Sequence, residues 1–327
     1  MTNILVTGQP PGDCLDRLAE HGELEVWRGE EAMPRHALLE ALADVDGFYS
    51  MLADAINGEL LDAAPRLRVV SNFAVGVDNV DLAACTARGI PVGHTPDVLT
   101  GTTADTAFGL LIMAARRLVE GVDYVRAGRW QRWEPELLWG LDVHGTTLGI
   151  VGMGRIGRAI AERGRGFGMR VVYTATAPKP DVDAALDARY LPLPELLAEA
   201  DHVVVATALT GSTRHLIDAA ALARMRPTAT LVNISRGGTV DPDALYEALA
   251  AGRIAAAGLD VTEPEPIPPD HPLLGLANCV ILPHLGSSSR ATRVAMADLA
   301  ADNLLAGLAG ERLPACANPE VYAAPGG

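Results

Sequence analysis

Short apolar runs alternate with helical periodicity along the first third of the chain. Residues 4–7, 47–50 and 67–72 have the length and the β-branched or aromatic content of buried strands, and residues 35–43 repeat apolar positions at helical spacing. Such alternation predicts a parallel sheet covered by helices. Residues 103–117 are apolar and rich in small side chains, are bounded by polar positions and are too short to span a bilayer, which makes them a buried helix. The alternation then resumes. Strands are expected at 146–151, 169–174, 202–207, 230–234, 255–261 and 279–282, with helices such as 155–166 and 241–250 among them. This series predicts a doubly wound sheet. The last helical stretch, 287–308, is amphipathic with no strand after it, so it is expected to return to the first domain and make that domain discontinuous.

One segment breaks the pattern. In residues 119–145, Trp130, Trp133 and Trp139 cluster beside Pro135 and several charges. Two explanations stand: a satellite core under a loop, or a subunit interface, where tryptophan is enriched.

A length of 327 residues exceeds what one core fills, so two domains are the default expectation. The net charge of −15 argues against nucleic acid or an anionic membrane as the main partner. An anionic substrate therefore needs local positive charge, and Arg236 is a candidate to supply it. The first residues read as a strand, with no basic stretch of the kind that opens a signal peptide. Cys14, Cys85, Cys279 and Cys316 form no CxxC pair, which predicts free thiols in a reducing cytoplasm and no metal.

Between the strand at 146–151 and the helix at 155–166 stands Gly152-Met153-Gly154-Arg155-Ile156-Gly157. In that context the glycines have a mechanism. Gly152 permits the tight turn, Gly154 lets the backbone approach a pyrophosphate, and Gly157 lets helix and strand pack closely. The amides of Arg155 and Ile156 fall at the helix N-terminus, where anions are favoured. A flavin or an adenosyl-methionine suits similar turns, so the motif alone leaves the cofactor open. The adenosine ribose position falls at Ala175, so no carboxylate stands there to repel a 2′-phosphate, whereas Thr174, Thr176 and Lys179 can donate to one. NADP(H) is therefore expected to be preferred, with NAD(H) possible.

Three polar residues follow the later strands. Arg236 lies at the carboxyl end of an apolar strand, where ligands of doubly wound sheets bind, and its planar fork matches a carboxylate. Glu265 lies in the proline-flanked stretch Thr262-Glu263-Pro264-Glu265-Pro266, and His284 stands just past the strand at 279–282. Each alone is more often an ordinary salt bridge, surface charge or structural histidine. A histidine oriented by a carboxylate beside a strand-end arginine, all in one dinucleotide domain, points to acid–base chemistry on a small keto acid.

With these residues in view, the chain resembles the D-isomer-specific 2-hydroxyacid dehydrogenases over nearly its whole length. Val75-Gly76-Val77-Asp78-Asn79-Val80-Asp81 resembles their substrate loop. His94-Thr95-Pro96-Asp97-Val98-Leu99-Thr100 and Thr103-Ala104-Asp105 match the hinge and the following helix. The stretches around Arg236, Glu265 and His284 match the family's arginine, glutamate and histidine signatures. Within the family the chain looks most like the glyoxylate/hydroxypyruvate reductase branch.

The resemblance implies two Rossmann-like doubly wound parallel-sheet α/β domains. A dinucleotide-binding domain at 100–286, with a dimerisation arm at 119–145, is inserted into a flavodoxin-like substrate domain at 1–99 and 287–327. It implies that Arg236 holds the carboxylate of a 2-oxo acid, that His284 protonates the carbonyl oxygen, and that Glu265 orients the imidazole and favours its protonated form. It assigns substrate contacts to Leu52, Val75, Gly76, Arg236 and Ser287, with the Val75 and Gly76 amides on the carboxylate. It assigns cofactor contacts to Thr103, Gly152, Gly154, Arg155, Ile156, Gly157, Thr174, Thr176, Lys179, Thr207, Thr213, Ile234, Asp260, His284 and Gly286. A homodimer is expected. At the position where some relatives carry an arm tryptophan, this chain has Leu137, with Trp139 two positions on. Phosphite dehydrogenase fits less well, because its substrate-loop lysine position is Val75 here. A corepressor-like NAD(H) sensor need not keep Arg236, Glu265 and His284 together.

Overall fold

The computed structural model describes residues 2–323, which form two compact units. One comprises the residues up to Leu99 with those from Ser288 onward; the other is Thr100–Ser287. Each is an α/β unit built on a wholly parallel sheet.

The first sheet has strands β1 (Asn3–Val6), β2 (Glu23–Val26), β3 (Gly47–Ser50), β4 (Val69–Asn72) and β5 (Val92–Gly93), in the order β2-β1-β3-β4-β5. β3 and β4 are buried at every position, as expected of central strands covered on both faces. The helix Arg290–Ala309 packs on them: Ser71 Oγ donates to the Ala300 carbonyl at 2.7 Å and the Tyr49 hydroxyl to that of Ala297 at 3.4 Å. β2 at the edge alternates exposed and half-buried residues. It and the two-residue β5 escape a search for apolar runs.

The second sheet contains β6 (Thr147–Val151), β7 (Arg170–Thr174), β8 (Ala188–Tyr190), β9 (His202–Val205), β10 (Thr230–Asn233), β11 (Ala256–Leu259) and β12 (Cys279–Ile281). Their order is β12-β11-β10-β9-β6-β7-β8, so the winding reverses between β6 and β9. Ligands of such sheets bind outside the carboxyl ends of the strands at that switch. The apolar runs overreach the ladders by a residue or two at one end or both, where the chain turns into the flanking loops.

The helix Thr100–Ala115 runs through the core of this unit, packed against β10, β11 and the helix Arg155–Gly166. It starts before the expected 103 and ends short of Arg117, whose left-handed backbone (φ 53°) opens the next helix, Leu118–Arg126. That second helix buries none of its residues, and Leu118, Val119, Val122 and Val125 are exposed. Trp130, Trp133 and Trp139 are 58%, 78% and 66% exposed. The satellite-core explanation for the tryptophans is thus corrected: all three are exposed, as are the apolar residues of the helix before them.

Candidate active site

The glycine turn after β6 is shaped by two close approaches. Gly152 takes a left-handed backbone (φ 103°), and a Cβ there would stand 2.7 Å from the Ala206 carbonyl oxygen and 2.8 Å from the Thr207 nitrogen. A Cβ on Gly157 would stand 2.1 Å from the Gly152 oxygen. Only glycine fits either place, so the helix starts hard against the strand. Gly154, the helix N-cap, faces open space, and no side chain caps the helix. Open ground at a helix N-terminus, with Arg155 and Ile156 in its first turn, suits the pyrophosphate of a dinucleotide.

The loop after β7, where the ribose is expected from sequence, is shaped by Tyr173. Its hydroxyl accepts from the Lys179 amide at 2.7 Å, which folds residues 174–179 back over the end of β7. Thr174 ends the strand, its carbonyl accepting from the Gly152 amide at 2.9 Å, and Thr176 is exposed. Asp181, an acid not weighed from sequence, opens the next helix and pairs with Arg158 at 2.7 Å. That hydrogen bond holds its carboxyl below the usual range. Thr213 serves its own loop, its hydroxyl donating to the Ala208 carbonyl at 2.6 Å and accepting from the Thr210 amide at 2.7 Å. The Thr207 amide crosses over Gly152, and Ile234 is buried at the end of β10.

Arg236 follows β10 in a turn built by Asn233, a buried residue not singled out from sequence. The Asn233 side chain donates to the Arg236 carbonyl at 2.9 Å and accepts from the Ser235 amide at 3.1 Å and hydroxyl at 2.8 Å. The Thr239 hydroxyl also donates to the Arg236 carbonyl, at 2.8 Å. The backbone that carries the guanidinium is therefore rigid.

Glu265 follows β11 and His284 follows β12, and the fold brings them together. His284 Nδ1 and Glu265 Oε1 are 2.6 Å apart. An ionised carboxylate only accepts, so Nδ1 carries the proton of this bond. The other oxygen of Glu265 accepts from the Thr262 amide at 3.2 Å. Burial pushes the Glu265 carboxyl up, but the bond and charge of His284, the Thr262 amide and the charge of Arg236 outweigh it and hold it below the usual glutamate range.

His284 has a left-handed backbone (φ 55°), held by Asp260. The Asp260 carbonyl accepts from the His284 amide at 2.9 Å, and its carboxylate accepts from the amides of Leu285 at 2.7 Å and Gly286 at 2.8 Å. Asp260 is fully enclosed, and burial raises its carboxyl against the pull of those two amides and of His284. Thr103 is buried and lies along Gly286. Ser287 is half-buried at the end of this unit.

In the first unit, Leu52 follows β3 while Val75 and Gly76 follow β4, all at the carboxyl edge of that sheet. Two asparagines tie the loops together. The Asn72 side chain donates to the Gly76 carbonyl at 3.1 Å, and that of Asn79 to the Asp54 carbonyl at 2.9 Å. His94 Nδ1 lies 3.0 Å from the Val75 carbonyl oxygen.

A doubly wound sheet with a glycine turn of the dinucleotide type and a carboxylate–histidine pair at one edge fits a dinucleotide-dependent oxidoreductase. Residues 108–286 match the model of the D-isomer specific 2-hydroxyacid dehydrogenase, NAD binding domain. A glyoxylate reductase of Korarchaeum cryptofilum is 49% identical over 319 residues, which cover 97% of this chain and 96% of that protein. The crystal structure of a protein from Thermus thermophilus superposes with a TM-score of 0.91 at 50% identity, covering 97% of this chain and 100% of the other. That of an NADPH-dependent glyoxylate/hydroxypyruvate reductase from Sinorhizobium meliloti, in complex with NADP and malonate, gives 0.85 at 38% identity, with 96% of each chain covered. The chain belongs to the D-isomer-specific 2-hydroxyacid dehydrogenase family, and its second unit is an NAD(P)-binding domain.

Proposed function

We propose that this chain reduces a small 2-oxo acid of the glyoxylate or hydroxypyruvate type to the D-2-hydroxy acid. The observation that carries the assignment is the 2.6 Å bond from His284 to Glu265 at the carboxyl edge of a dinucleotide-type sheet. The names of the relatives support the substrate class. When bound, the reduced nicotinamide supplies the hydride. Arg236 takes the substrate carboxylate in its planar fork and polarises the carbonyl. His284 donates a proton from Nε2 to the carbonyl oxygen, and Glu265 fixes the ring and stabilises the imidazolium that gives up that proton. Asp260 holds the backbone at His284, and Asn233 does the same for Arg236.

NADP(H) is the preferred cofactor in this proposal, with NAD(H) accepted. Support comes from Ala175 at the ribose position and from Thr174, Thr176 and Lys179 around it. The exposed helix Leu118–Arg126 and the three tryptophans support a homodimer through residues 119–145. Four free cysteines support a cytoplasmic location. The first unit is assigned as the substrate-binding domain and the second, Thr100–Ser287, as the dinucleotide-binding domain, one residue longer than the 100–286 expected from sequence.

Chiral analysis of the hydroxypyruvate product tests the assignment. D-glycerate is expected, and L-glycerate would contradict it.

A further inference from the structure

Two carboxylates in one short loop point to two different histidines. Glu265 bonds His284. Glu263, two residues earlier, bonds His215 instead: its Oε2 lies 2.7 Å from His215 Nε2, while its Oε1 accepts from Arg214 Nη2 at 2.5 Å. Glu263, His215 and Arg214 take no part in the proton or carboxylate chemistry above.

The partners of Glu263 are themselves fixed. His215 has a left-handed backbone (φ 47°), a conformation a non-glycine residue keeps only where its surroundings impose it. Its amide donates to the Gly238 carbonyl at 2.8 Å, and its Nδ1 faces Asp241 Oδ2 at 3.9 Å. Asp241 caps the helix Pro242–Ala250. Burial pushes the Glu263 carboxyl up, but the bonds and charges of His215 and Arg214 outweigh it and hold it below the usual range.

Between the two carboxylates the loop closes on itself. The Thr262 hydroxyl donates to the Pro264 carbonyl at 2.9 Å and the Thr262 amide to Glu265 Oε2 at 3.2 Å. We infer that Glu263, gripped by Arg214 and His215, is a positioning residue: an outer clamp that holds residues 262–266 so that Glu265 meets His284. This rests on the reductase assignment. His284 is held separately by Asp260 and the Arg236 carbonyl by Asn233, so loss of the clamp displaces Glu265 first and reaches Arg236 only through the contact of Gly237 with Thr262.

The groups that face the clamp are Arg214, His215 and, through His215, Asp241; those that face Glu265 are His284 and Arg236, with Asp260 behind the loop. A weakened bond to His284 holds the Glu265 carboxyl down less firmly, so protonation breaks the pair at higher pH and the acid limb of kcat moves up.

The test compares Glu263→Ala, Glu263→Gln and His215→Gln in the full chain. It measures kcat and KM for glyoxylate across the acid range, and hydrogen–deuterium exchange of the peptide covering 262–266. Glu263→Ala and His215→Gln are expected to lower kcat about tenfold, since small misplacements of reacting groups cost that much or more. KM stays near wild type, the acid limb moves up and exchange at 262–266 accelerates. Glu263→Gln keeps an oxygen for Arg214 and recovers most of kcat. Wild-type kcat, acid limb and exchange in both Glu263→Ala and His215→Gln would overturn the clamp, as would a rise in KM alone. If wild type itself reduces no 2-oxo acid, the reductase assignment fails, and exchange in the variants still decides the clamp.

Discussion

Gly237 is pressed against Thr262. A Cβ on Gly237 would stand 1.9 Å from the Thr262 carbonyl oxygen and 2.6 Å from the Glu263 nitrogen. The turn that carries Arg236 and the loop that carries Glu265 therefore touch backbone to backbone, and no flexible side chain can yield between them. Gly237→Ala must push the two apart. The expected result is a loss in kcat/KM for glyoxylate of about 10²-fold, the cost of misplacing reacting groups by roughly 1 Å. A folded Gly237→Ala variant with wild-type kcat/KM would contradict this coupling.

The depressed carboxyls of Glu263 and Glu265 set a stability dependence with a definite sign. A carboxyl lowered by folding adds stability above its unfolded value, and that contribution is lost as pH falls through the folded value. Unfolding midpoints in urea should therefore drop as pH falls below the ordinary glutamate range. Glu265→Gln removes one of the two contributions, so its midpoint should fall less steeply in acid. An identical acid profile in the variant would show that the His284–Glu265 bond contributes no linkage.

Cofactor choice is tested at Lys179. If its ammonium meets a 2′-phosphate, Lys179→Ala should lower kcat/KM for NADPH about tenfold, the scale of a hydrogen bond to a charged group, and leave NADH nearly unchanged. Equal losses with both cofactors, or a clear NADH preference in wild type, would remove the basis for the NADP(H) preference.

The apolar face of Leu118–Arg126 predicts an assembly. Wild type should show twice the chain mass in light scattering at micromolar concentration, and Val122→Asp with Val125→Asp should shift it to the monomer. Aspartate in the centre of an apolar interface is costly because its charge is stripped of water. A monomeric wild type would contradict the homodimer.

Much of the second sheet is legible as apolar runs, because a parallel strand buried on both faces has no polar alternation to obscure it. Gly47–Ser50 is likewise recognisable in the first. The strands Glu23–Val26, Val92–Gly93 and Ala188–Tyr190 are not, since they are short and all three lie at sheet edges. The glycine turn is readable because its spacing has a steric cause that Gly152 and Gly157 display. Glu265 and His284 stand out as residue types, but their 2.6 Å contact is made by the fold. The supports are harder to see. Asn233 looks like one more polar residue at the end of a strand. Glu263 finds His215 across 48 residues, a pairing no local pattern encodes. The tryptophans at 130, 133 and 139 are compatible in sequence with either burial or an interface, and only their exposure decides against a satellite core.

The central claim is that His284 delivers the proton. The most direct measurement is the rate of NADPH oxidation with glyoxylate by wild type and by His284→Ala, alongside the affinity of each for NADPH. Loss of a general acid should lower kcat by about 10²–10⁴-fold, with cofactor affinity and fold retained. A His284→Ala enzyme that turns over like wild type would contradict the account.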